Sequence, residues 1–123
     1  MGYVIHYDNA TDTIITVVEG VIHVPLVTEF ALETFTKGDE QHCNKFLVDL
    51  RDTQVNESTV NIAEFALHME KTGIRTEHHV AVVIRNNESE HKLFGAMSKN
   101  RGYARLRYFY DLDAATTWLH NLP

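Results

Sequence analysis

The sequence predicts an α/β domain built on a mixed five-stranded sheet, its first strand antiparallel and the rest largely parallel, with about four helices packed on it. Three observations carry that prediction. Segments of strand-like and helix-like patterning alternate along the chain. Two apolar runs, Phe46 to Leu50 and His79 to Ile84, are too short for helices and read as strands covered on both faces. The strand-helix-strand units that follow the opening hairpin require right-handed crossovers between parallel strands.

Tyr3 to Tyr7 and Thr13 to Glu19 are rich in β-branched and aromatic residues, and the Asp8-Asn9-Ala10-Thr11-Asp12 cluster between them supplies turn chemistry, so the chain opens on an antiparallel hairpin. Gly20 marks a bulge or a bend, and Val21 to Val24 continue the extended chain. Pro25 suits a first helical turn. Val27, Phe30, Ala31 and Thr34 then recur at helical spacing until Gly38, which offers a left-handed C-cap. The charged residues around Arg51 close the Phe46 to Leu50 strand. From Ser58, the residues Ile62, Phe65, Ala66 and Met69 share one helical face, and Gly73 stops that helix. Arg85-Asn86-Asn87 ends the next strand. A third helix runs from about Glu88 to Arg101, with acids in its first turn, bases in its last, Gly102 beyond, and Leu93, Phe94 and Met97 on its core face. Ala104 to Tyr110 alternates as a final strand, and Asp111 to Asp113 caps a last helix carrying Ala115, Trp118, Leu119 and Leu122.

A length of 123 residues with 44% hydrophobic content fits one continuous core, hence a single domain. The net charge of -6 would repel a phosphate backbone, so no nucleic acid is expected as a partner. The charge is uneven: residues 1–62 carry ten acids against three bases, and residues 63–123 seven against eight. Cys43 is the only cysteine, which rules out an internal disulfide and a cysteine-based zinc site and fits a reducing, cytoplasmic compartment. No basic-then-apolar leader stands at the start, and no apolar run approaches the roughly 20 residues of a membrane span. Eight histidines occur without a paired ligand spacing, so neither a metal nor a cofactor is expected.

The element order, with Phe46-Leu47-Val48-Asp49-Leu50-Arg51-Asp52 leading into a helix that begins near Ser58, resembles the STAS domain family, its SpoIIAA-like branch above all. Val17-Val18-Glu19-Gly20, Val80 to Val83, Arg105 to Tyr110 and the final Ala114-Ala115-x-x-Trp118-Leu119 helix are similar as well, so the resemblance spans nearly the whole chain through hydrophobic patterns. It implies a protein that is not an enzyme, binds anti-sigma kinases and switches when a serine at the start of the second helix is phosphorylated. That position falls on Ser58 or Thr59. The family motif reads Asp-Ser-Ser-Gly, whereas this chain reads Asn56-Glu57-Ser58-Thr59-Val60. A related part of the family is similar in fold to lipid-carrying Sec14-like domains, which implies an apolar pocket.

Each candidate site has a plain structural reading beside it. Ser58 is placed to cap its helix, and phosphate there would also gain from the helix dipole. Asp49, Arg51 and Asp52 stand toward the C-terminal end of a central strand, where open α/β sheets bind ligands at a switch in strand order; an ion pair finishing the strand explains them equally. Lys99, Arg101, Arg105 and Arg107, interleaved with Tyr103 and Tyr108, form a patch for an anion or an acidic partner, or simply a solvated face. Leu32 and Phe35 lie off the stripe of the first helix, leaving it apolar on two sides, as a homodimer contact, a peripheral membrane contact or a lid over an apolar ligand would require. Phe30, Phe35 and Phe65 would line such a pocket. No catalytic nucleophile and base can be paired. The leading expectation is therefore a regulatory domain that recognises a protein partner, and the alternative is a carrier of an apolar or amphipathic small molecule.

Overall fold

The structure, a computed structural model, describes residues 2–85 and 89–122. Asn86 and Asn87, read as the end of the fourth strand, and Glu88, read as the start of the third helix, lie outside the described residues. The described elements are β1 (Gly2–Asp8), β2 (Thr13–Ile22), α1 (Val24–Glu40), β3 (Lys45–Val55), α2 (Thr59–Leu67), a 3-10 turn (Met69–Thr72), β4 (His79–Val83), α3 (Ser89–Asn100), β5 (Leu106–Phe109) and α4 (Leu112–His120). The sheet order is β1-β2-β3-β4-β5, with β1 antiparallel to β2 and every other pair parallel.

Because the order never reverses, crossovers of one hand place their helices on one face of the sheet. α1, α2 and α3 share that face with the larger core, in which Ile14, Val18, Phe30, Phe35, Phe46, Val48, Val80 and Val82 are buried. α4 alone covers the back, where Leu47, Ala81 and Val83 meet Ala115 and Leu119. Phe46 and Val48 therefore face one layer and Leu47 the other, as period-two alternation dictates for a strand buried on both sides. The hydroxyls of Thr16 on β2 and Thr34 on α1 satisfy each other at 2.7 Å inside the larger core.

The structure corrects several details. The chain does not leave α1 at Gly38: the helix continues to Glu40, Gln41 caps it, and His42 takes the left-handed conformation with φ of 53°. Gly38 serves close approach instead, since a Cβ there would stand 2.5 Å from the Phe46 ring. β3 does not close at Arg51 but runs to Val55, because β2 continues to pair with it beyond the last β4 partner, Asp49. Between Val17 and Glu19 the register shifts, with Leu50 and Arg51 of β3 opposite Val18 alone, so the bulge falls just before Gly20. α2 ends at Leu67, and Gly73, with φ of 90°, terminates the following 3-10 turn rather than the helix itself. Phe35 belongs to the buried face of α1, leaving Leu32 as the exposed apolar residue; in α3, Leu93, Phe94 and Met97 are half-buried, Phe94 against the larger core, while His91 and Ser98 are the fully buried residues.

Candidate functional site

Parallel strands joined by right-handed crossovers bring the starts of α1, α2 and α3 to one edge of the sheet, beyond the C-terminal ends of the strands. Ser58 is the N-cap of α2, and its Oγ accepts the backbone N–H of Asn61 at 3.1 Å. Glu57 beside it joins two helices. One of its oxygens accepts the N–H of Val24 in the first turn of α1 at 2.8 Å, and the other accepts the Ser58 N–H at 3.0 Å and the Asn61 side-chain amide at 2.7 Å. Those donors, the Val24 N–H foremost, hold the Glu57 carboxyl below the usual carboxylate range. Ser58 and Thr59 are exposed, and so are Val60 and Leu67, seven positions apart on the outer face of α2.

Asp49 and Arg51 sit two apart on the β3 face toward α4. Asp49 Oδ1 accepts Arg51 Nε at 2.9 Å and Oδ2 accepts Nη2 at 2.8 Å, a bidentate fork reinforced by the Arg51 backbone N–H. Burial pushes the Asp49 carboxyl up, but the Arg51 hydrogen bonds and charge outweigh it and the net shift is downward. The side chain of Asp52 is exposed and meets Arg85 at 3.2 Å, while Arg85 Nε donates to the Arg51 carbonyl. With strands in unbroken order there is no switch point here, so the reason for expecting a ligand at Asp49, Arg51 and Asp52 fails: Asp49 and Arg51 form an ion pair within β3, where β4 stops pairing with it. A cleft lined by Arg51 and Asp52, but not Asp49, is bounded also by Gln54, Arg85 and His91.

The basic residues do not converge. Arg107 points to the back layer, its guanidinium 5.4 Å from the Trp118 ring centroid and 5.6 Å from that of Phe109. Arg101 instead donates to the Leu67 carbonyl at the end of α2, and Arg105 reaches the Glu77 carbonyl. Lys99 is exposed in the last turn of α3. The expected anion patch is thus divided between the two faces of the sheet.

Beneath α1 lies a cavity of about 140 Å³ with an apolar lining, and Phe30, Phe35 and Phe65 all contribute to it. Its lining includes His23, Val24, Glu57, Glu90 and His91, which stand at or near the starts of α1, α2 and α3, the edge that carries Ser58. Among the described residues no group of His, Cys, Asp and Glu side chains is arranged to hold a metal ion, and no helix is long and apolar enough to cross a membrane.

Sequence reasoning missed Glu57, Arg85 and His91. Glu57 carried a signal, an acid directly before a capping serine, whereas His91 lay in a polar run whose inward face only packing reveals.

No protein-family model matches the chain, and no curated protein matches it. Among solved structures, an anti-sigma factor antagonist from Mycobacterium paratuberculosis superposes with a TM-score of 0.62 at 15% identity, covering 98% of this chain and 96% of that one. An uncharacterised protein of the DUF3478 family with a SpoIIAA-like fold, from Shewanella loihica, superposes with a TM-score of 0.57 at 14% identity, covering 96% and 93%. The fold is SpoIIAA-like. At such identities the likeness lies in the arrangement of sheet and helices, so the SpoIIAA-like frame fixes where Ser58, the Asp49–Arg51 pair and the cavity stand relative to one another, while their chemistry rests on this chain's own residues.

Proposed function

We propose that this chain is a cytoplasmic, non-enzymatic regulatory domain that docks a protein partner on the start and outer face of α2. The observation that carries the reading is the juxtaposition of an exposed capping serine with Val60, 72% exposed, and Leu67, 45% exposed, on a helix whose opposite face buries Ile62 and Ala66. The SpoIIAA-like fold is shared with a protein described as an anti-sigma factor antagonist, which supports recognition over catalysis. So does the pairing of both Asp49 oxygens with Arg51, which holds that carboxylate ionised rather than poised to take up a proton.

A phosphate on Ser58 would stand beside the Glu57 carboxylate. Like-charge repulsion would then work against the bond from Val24 N–H to Glu57 that ties α1 to α2, so modification here would loosen the docking surface rather than order it.

The test compares affinity capture, with cross-linking, by the wild-type chain, Ser58→Ala, and a Val60→Asp/Leu67→Asp pair. Ser58→Ala loses about 1 kcal/mol of capping and weakens capture. The double variant keeps its melting temperature and loses the partner. Identical partners for all forms, or cross-links confined to α4, would remove the case for docking on α2.

A further inference from the structure

Native interiors are packed to the density of organic crystals, with few voids larger than a water molecule. The space beneath α1 is an order larger than that, about 140 Å³; it is lined by Phe30, Phe65, Val48, Val82, Phe94 and Leu106 and is partly open to solvent. An apolar space of this kind leaves its lining short of partner atoms, and a polar molecule entering it would surrender hydrogen bonds it could not replace. A cavity of about 150 Å³ with a comparable lining is known to stay dry and to accept benzene.

We propose that this cavity is a binding site for one compact, uncharged, apolar molecule about the size of a single six-membered ring. The volume sets the upper limit, since a membrane lipid's acyl chains need several times the space. The lining sets the charge. Its acids are Glu57 and Glu90, and a carboxylate or phosphate ligand would meet like charge from both. A cation would meet no counter-charge among the buried lining residues and would remain in water. The ligand would touch α1, α2, α3 and the sheet at once, so occupancy favours the folded state directly.

The probes are benzene and sodium dodecanoate, used with the full-length chain. Saturating benzene is expected to raise the melting temperature by ~3 °C or more and to shift the amide signals of residues lining the cavity. Ala31→Phe, which fills the space from α1, should abolish the response. If that variant does not fold, Leu106→Phe fills the same space from β5 and should do likewise. The proposal is overturned by an unchanged melting temperature in the wild type, by an equal rise in a filled variant, or by a rise with dodecanoate as large as with benzene. No protein partner takes part, so the outcome is independent of docking on α2.

Discussion

His78 carries the sharpest physical consequence of any single residue in this fold. Its ring stacks on Phe35 at 5.3 Å and lies against Phe46 at 4.8 Å, almost wholly buried. Nδ1 accepts the Arg75 backbone N–H at 3.1 Å, which puts the proton on Nε2, and Nε2 has no hydrogen-bond partner among the described residues. Burial, aided by the charge of Arg75, depresses the affinity of the ring for a second proton below its ordinary value of 6.5, with Glu77 and Asp39 opposing weakly. Such a group is neutral in the folded state and protonates first in the unfolded one. Its contribution to stability is therefore complete above 6.5 and declines as the pH falls from there through the depressed native value. Urea midpoints taken at about pH 7.5 and about pH 5 should fall on acidification, and His78→Leu should flatten that dependence. A variant with the slope of the wild type would show that another group controls it.

At the scale of elements, α1 approaches β3 closely at Gly38. Gly38 lets the last turn of α1 lie on the Phe46 ring, and an added methyl would meet ring carbons at 2.5 and 2.7 Å and the Cys43 carbonyl at 3.0 Å. Gly38→Ala is expected to destabilise by about 1–3 kcal/mol despite its better helix propensity. Combining it with Phe46→Leu should cost less than the sum of the two separate changes, as coupling through a shared contact requires. Denaturant titration of the four forms measures this, and additive effects would mean that the helix shifts as a body to admit the methyl. The sequence pattern gave a glycine at a helix end, which a C-cap explains as readily as a close approach. Only the neighbour across the interface decides between them.

For the whole molecule, both layers hang on the same strands. Val80 and Val82 of β4 pack under the three-helix layer, while Ala81 and Val83 pack under α4. The single tryptophan, Trp118, belongs to the back layer and lies 5.5 Å from Phe109 and 5.8 Å from His79. Its fluorescence reports on that layer alone, whereas far-UV circular dichroism reports on all the helices. The two signals are expected to change together across one denaturant transition, as one cooperative domain demands. A tryptophan signal that moved first would show that α4 leaves the sheet as a separate unit.

The sequence by itself determined the number, order and kind of elements, because the period of a hydrophobic pattern is a local property: alternation or continuous apolarity for β1 to β5, a 3.6-residue stripe for α1, α2 and α4. It also placed Ser58 at a helix start, since capping depends on the next three residues alone. Tertiary structure alone decided that α1, α2 and α3 share one face, that Arg107 and Arg101 point apart, that Phe35 turns inward, and that a 140 Å³ space remains beneath α1. These depend on which side of the sheet each crossover takes and on how far side chains from distant segments fill the gap between layers, and no window of sequence contains that sum.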